Sequence, residues 1–196
     1  MPIPSINLNT PPPVFIVASA LITPLGEGID VNFDQLIAGN SGIQLIDDRR
    51  FFPSQIPLSM IADCAMDQYK EQFKAQTRFD NLLLKCASDL QQNSSIDFAS
   101  PDVLILLSST KGNIELLAQH PNNPKVSLNY SASLLKQYFN HPNDVIIISN
   151  ACISGISASL VAKRYLEAGN YKHAVVLGCD VLSHFVISGF NSFHAL

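Results

Sequence analysis

Four short stretches of this chain are apolar at nearly every position: Val14 to Ala18, Asp102 to Leu107, Val145 to Ser149 and Ala174 to Gly178. A strand that shows one face to water alternates polar and apolar residues. A strand apolar throughout must be covered on both faces. The segments between them carry helical spacing. Phe79 to Leu90 places Leu82, Leu83, Cys86, Ala87 and Leu90 on one stripe, and Ser131 to Phe139 carries Leu134, Leu135 and Tyr138. A long helix is predicted from Ser154 to Ala168, closed by Gly169-Asn170, and a shorter one from Asp30, an N-cap candidate, to Ala38. Buried strands alternating with helices predict an α/β fold, a mixed and mostly parallel sheet with helices on both faces. Pro11-Pro12-Pro13 closes a loose leader, Met1 to Pro13, ahead of the folded body at 14–196. Arg49 to Asp67, with mixed polarity and two prolines, reads as irregular or locally hairpin-like.

Composition narrows the function. The 196 residues are 47% hydrophobic and 14% charged, which excludes an intrinsically disordered chain. The net charge is -4, and no Lys or Arg precedes Arg49. A phosphate-binding surface needs clustered bases, so nucleic acid is not an expected partner. Four scattered cysteines form no disulfide framework, and the five histidines form no HxxxH or HExxH pattern, so neither metal nor cofactor is expected. The N-terminus lacks the basic and apolar regions of a signal peptide, and no apolar run reaches the length of a membrane span. The chain therefore reads as a reduced, cytoplasmic protein with no membrane partner.

Chemistry concentrates at Val145-Ile146-Ile147-Ile148-Ser149-Asn150-Ala151-Cys152-Ile153-Ser154-Gly155. Here a buried strand is predicted to turn into a helix, with Cys152 at the turn. The unpaired amides and the positive end of the helix dipole favour a thiolate there. The same amides could hold the oxyanion of a thioester under attack. Small residues follow (Ser154, Gly155, Ser157, Ala158, Ser159) and leave room above the sulfur. Position alone leaves two readings open, a nucleophile or a small buried hydrophobe. Cys64, Cys86 and Cys179 take the second. Ser109-Thr110-Lys111-Gly112 lacks the frame of a phosphate loop and reads as a plain turn. Lys163 and Arg164 read as a solvated helix face that could also meet an acidic partner.

The segment Ser149-Asn150-Ala151-Cys152-Ile153-Ser154-Gly155 resembles the nucleophile segment of the β-ketoacyl synthases of the thiolase superfamily. Three further segments agree in order. Val14-Phe15-Ile16-Val17 through Thr23-Pro24-Leu25-Gly26 resembles the family's opening strand and TPLG turn. Phe33 to Ile43 resembles the helix and the "L-x-x-G-x-S-G-I" stretch after it. Ala174 to Asp180, then Ser188 to Leu196, resemble the following strand and the "GF-x-S-x-x-AL" loop.

The resemblance implies a thiolase-like N-terminal portion over 14–196. It implies that Cys152 accepts an acyl group from an acyl carrier protein, with its backbone N–H in the oxyanion hole. Condensation with a malonyl thioester would then follow, in fatty acid or polyketide synthesis. It also implies a dimer formed through Val145 to Ser149. Family members are about twice this length. Their second half supplies the histidines, or His-Asn pair, that promote decarboxylation, together with a lysine and a phenylalanine gate. None of the five histidines here lies in an HGT-like context, so His184 and His194 receive no role, and Ala18-Ser19-Ala20 stands where the family has glycines. The expectation is a synthase portion that is incomplete without a C-terminal half. The alternative is a non-catalytic subunit that completes or regulates a separate synthase chain. A cysteine hydrolase would need a histidine beside Cys152, and the sequence offers no such pairing.

Overall fold

The computed structural model describes residues 12–118, 120 and 122–195, so most of the expected leader, Met1 to Pro13, lies outside the described residues. Two small antiparallel hairpins come first: β1 (Ile22–Thr23) with β2 (Gly26–Glu27), and, beyond helix α1 (Ile29–Ile37), β3 (Ile43–Ile46) with β4 (Ile56–Ser59). Helices α2 (Asp63–Phe73) and α3 (Arg78–Gln92) lead into β5 (Val103–Ser108). Then come α4 (Leu128–Tyr138), β6 (Ile146–Ile148), α5 (Ser154–Glu167), β7 (His173–Gly178) and α6 (His184–Ser192).

The central sheet has the order β6-β5-β7 and both pairings are parallel, with Leu106 opposite Ile146 on one side and Val176 on the other. All six residues of β5 are buried, which is why its sequence shows no alternation. The alternation reappears in what each residue touches. Val103, Ile105 and Leu107 join the cluster built by α3, α4, Phe98 and Phe139. Leu104 and Leu106 join the cluster on the opposite face with Ala158 and Ala162 of α5. Alanines four residues apart let α5 settle close on the sheet. Each Leu or Ile so buried contributes on the order of 1.5–3 kcal/mol. The expected α/β fold, with helices on both faces of a parallel sheet, is present.

The helices differ from expectation mainly at their ends. α1 starts at Ile29 behind Gly28, not behind an Asp30 cap. Thr77, whose hydroxyl accepts from the Asp80 N–H at 3.1 Å, starts α3 a residue before Phe79. Ser127 caps α4 and draws its start back to Leu128. The hairpin expected within Arg49 to Asp67 begins earlier, at Ile43, and Asp63 opens α2. Asp63 pairs with Arg50 at 2.7 Å and with Arg78 at 2.7 Å, joining three elements.

One predicted strand is absent. Val14 to Ala18 forms no ladder, and Phe15, Ile16 and Val17 are 74%, 93% and 74% exposed. A strand needs a partner edge. β7 is the edge of the central sheet on this side, and a cavity of about 330 Å³ separates it from residues 14–20. Cys86 and Leu90 of α3 and Ala162 and Leu166 of α5 also line the gap. The turn that follows is well fixed. Thr23 donates to the Asn32 side chain, whose amide donates to Gly26 O at 2.9 Å and Gly28 O at 2.7 Å. Gly26, at φ 142, has Val31 Cγ1 only 2.6 Å from where a Cβ would sit.

Candidate active site

β6 ends at Ile148, and a single 3-10 turn, Ala151–Ile153, joins it to α5. Cys152 is the middle residue of that turn, and it is exposed. The geometry follows from the residues on either side. The Asn150 N–H donates to Ser154 Oγ at 2.8 Å, and the Ser154 hydroxyl donates to Ala151 O at 2.7 Å. The Asn150 side-chain amide donates to Ser157 Oγ at 3.1 Å. The Ile153 N–H returns to Asn150 O at 3.1 Å. That pattern leaves the amides of Ala151 and Cys152 without an acceptor inside the turn. Ala151 takes a left-handed φ of 46, unusual for a residue with a Cβ. The 14-residue α5 directs its positive end at the turn. A thiolate at Cys152 would therefore stand in solvent at a helix start, with free amides beside it.

The other cysteines differ. Cys64 is exposed near the start of α2. Cys86 is half-buried on α3, and burial pushes its thiol up. Burial pushes the Cys179 thiol well up, and its sulfur points at Phe79 O, 3.8 Å away. The surroundings of Cys86 and Cys179 disfavour a thiolate, as expected of packing residues, whereas Cys64 departs from that expectation because the first turn of α2 leaves it exposed.

The histidines with side-chain partners find them elsewhere: His141 is buried with Nδ1 2.7 Å from Phe98 O, and His184 Nε2 lies 3.5 Å from Ser188 Oγ. No His–Cys152 hydrogen bond forms among the described residues, which removes support for the hydrolase reading. Residues 110–112 form a bend in which the Gly112 N–H donates to Ser109 Oγ at 3.4 Å, with Gly112 at φ 53 and Lys111 Nζ 3.6 Å from Asp180. Lys163 and Arg164 lie on the exposed side of α5, and Lys163 pairs with Glu167. Among the described residues no group of three or more His, Cys, Asp or Glu could hold a metal, and no helix is long and apolar enough to cross a membrane.

Sequence reasoning valued Asn150 and Ser154 only as neighbours of the cysteine and missed the clamp they form. The available signal was a serine four residues after an asparagine across a strand-to-helix junction. It also missed the buried set behind the sheet's C-terminal end. There Asp80 accepts from Asn113 Nδ2 at 2.8 Å and from the Ser131 hydroxyl at 2.6 Å.

No family model matches the chain, and no curated protein matches it by sequence. Solved structures do match in fold. The ishigamide ketosynthase/chain length factor superposes over 92% of this chain and 56% of its own, at 17% identity and a TM-score of 0.70. An oxazolomycin ketosynthase domain from Streptomyces albus JA3453 matches over 89% of this chain and 37% of its own, at 16% identity and a TM-score of 0.71. A β-ketoacyl synthase from Burkholderia phymatum STM815 matches over 91% of this chain and 49% of its own, at 17% identity and a TM-score of 0.67. The chain thus spans between roughly a third and a little over half of these structures. Over about nine-tenths of its length, this chain has the thiolase-like fold of the ketosynthases.

Proposed function

We propose that the chain is the acyl-accepting portion of a ketosynthase-type condensing enzyme, with Cys152 as nucleophile. The observation that carries this reading is an exposed cysteine on the turn between β6 and α5, within a ketosynthase fold. The Cys152 sulfur, as thiolate, attacks the thioester carbonyl carbon of an acylated carrier protein. The new S–C bond forms, the carrier's C–S bond breaks, and the carrier leaves as a thiol with the proton Cys152 gave up. The amides of Ala151 and Cys152, which have no acceptor inside the turn, would hold the oxyanion in between. Condensation with a malonyl thioester needs groups that polarise its carbonyl, and the resemblance puts these in a C-terminal half.

The test is competitive labelling with iodoacetamide or cerulenin, followed by peptide mass mapping. Cys152 is expected to react faster than Cys64, which is also exposed, and far faster than Cys86. A Cys152 rate no greater than that of Cys64 would overturn the assignment.

A second reading is an interaction subunit that completes a separate synthase chain. The cavity between residues 14–20 and the open edge of β7 favours it, because it is bounded by extended backbone on two sides and by α3 and α5 on the others. The outer edge of β6 likewise has no partner strand among the described residues, and Ile153, Ile156 and Leu160 beside it are 49%, 76% and 47% exposed. That face suits the dimer the resemblance implies. Sedimentation of Ile156→Glu against the unaltered chain tests it: the variant should run as a monomer where the parent runs as a dimer. Two monomers, or two dimers, would remove this face from consideration.

A further inference from the structure

We infer that Ser154 is a positioning residue for Cys152, because its hydroxyl holds the left-handed Ala151 turn that presents the sulfur. The inference rests on the reading of Cys152 as nucleophile. Ser154 is buried, while its neighbours Cys152, Ile153 and Gly155 are exposed, so its side chain points inward beneath the turn. There it makes two bonds at once. It accepts from the Asn150 N–H at 2.8 Å and donates to the Ala151 carbonyl at 2.7 Å. These two groups flank the one strained residue of the turn. Ala151 at φ 46 pushes its Cβ towards its own carbonyl, a conformation that persists only when its surroundings over-determine it. With Ser154 in place, the Ser149–Asn150 and Ala151–Cys152 peptide units are fixed, the Ile153 N–H holds Asn150 O between them at 3.1 Å, and Cys152 has one orientation. Without the hydroxyl, Ala151 can relax to a right-handed φ, and that rotation swings Cys152 and its amide away from their positions at the head of α5.

The mechanism makes a claim that a merely structural role for Ser154 does not. If the hydroxyl acts by holding a left-handed residue, glycine at 151 should make it dispensable, because glycine adopts positive φ without cost. The experiment measures Cys152 alkylation by iodoacetamide, with Cys64 on the same chain as internal standard. It compares the parent with Ser154→Ala, Ser154→Thr and the Ser154→Ala/Ala151→Gly pair. Ser154→Ala should slow Cys152 about tenfold, equivalent to about 1.4 kcal/mol, and leave Cys64 unchanged. Ser154→Thr keeps the hydroxyl and should stay within about twofold of the parent. The double variant should recover most of the lost rate. An unchanged Cys152-to-Cys64 ratio in Ser154→Ala, or no recovery in the double variant, overturns the inference.

Two outcomes separate this inference from the reading beneath it. A parent Cys152 no faster than Cys64 sinks the nucleophile. A fast parent Cys152 that ignores Ser154 sinks only the clamp. Amide exchange at Asn150 reads the clamp without reference to reactivity: its N–H should be protected in the parent and lose protection in Ser154→Ala, and equal exchange rates refute the clamp. Should Ser154→Ala fail to fold, Ala151→Gly alone serves. It should raise the melting temperature by relieving the positive φ, and a fall would show that there is no strain for Ser154 to hold.

Discussion

Asn113→Ala is expected to be among the most damaging polar substitutions in the chain. Asn113 is fully buried, 0% exposed, on the loop after β5. Its amide donates to Asp80 Oδ2 at 2.8 Å and to Lys125 O at 2.9 Å, and its Oδ1 accepts from the Thr77 hydroxyl at 2.6 Å. Alanine removes these three bonds and the longer one that the amide donates to Ser131 Oγ at 3.4 Å. Each neutral bond is worth about 1 kcal/mol net, and the one to the carboxylate about twice that. The substitution also leaves a buried carboxylate oxygen and a hydroxyl short of a partner. Asp80 keeps its bond from Ser131, which limits the loss. The expected cost is about 3–5 kcal/mol. With a urea slope of about 2 kcal/mol/M, the midpoint should fall by about 1.5–2.5 M at unchanged slope. The chain has no tryptophan, so far-ultraviolet circular dichroism is the suitable signal. Ser131→Ala, which removes one charge-assisted bond and the long one from Asn113, should cost about half as much. A midpoint shift below about 0.5 M for Asn113→Ala would refute the view that this set ties α3, α4 and the loop together.

Four further expectations concern stability. Gly112→Ala forces a Cβ onto φ 53 and to within 2.9 Å of Leu128 Cδ2, and should cost about 1–2 kcal/mol, read as a fall in melting temperature of a few degrees. Leu135→Ala opens a hole under α4, where Leu135 is fully buried, and should cost about 2–5 kcal/mol in urea unfolding. Asp63 sits below its ordinary value of 3.8 because Arg50, then Arg78, bond to its carboxylate; its contribution is present above that value and lost as pH falls below it. Asp63→Asn should therefore flatten the acid end of the stability profile, modestly because the pair is exposed, and an unchanged acid slope would refute the assignment. Hydrogen exchange should show the amides of 14–18 exchanging far faster than those of β5, and comparable protection would show that the segment has found a partner.

The elements legible in the sequence were those whose burial is complete and local in origin. Val103 to Leu107 has to be covered whichever residues cover it, and it is the fully buried centre of the sheet. Ser154 to Glu167 declared itself through small residues on one face and Gly169 beyond its end. α2 was not legible. Its fully buried residues are Met66 and Tyr69, and it is placed by Asp63 reaching Arg50 and Arg78, partners 13 and 15 residues away. α6 was not legible either: the resemblance makes Ser188 to Leu196 a loop, whereas Ser188 to Ser192 close the helix that Ser183 caps, and its single buried Ile187 gives little periodic signal. At the site, the position of Cys152 between strand and helix followed from pattern alone. The clamp beneath it did not, because a serine that bonds the turn and a serine that only saves space look the same in a sequence.

Val14 to Ala18 shows where such reasoning stops. An apolar, β-branched run states a demand, that both faces be covered and both edges paired; it does not state whether this chain meets the demand. Val103 to Leu107 is likewise apolar throughout and obtains β6 and β7 as neighbours. Val14 to Ala18 lies across a cavity from β7, with Ile16 93% exposed. The two segments differ in what the rest of the fold delivers to their edges, which is a property of topology and absent from any window of residues. The open edge and the exposed run face the same gap, which an extended strand, apolar on both faces, would fill. Among the described residues the sheet is closed around β5 and open at β7 where residues 14–20 lie, so burial of one apolar run says nothing about burial of the other.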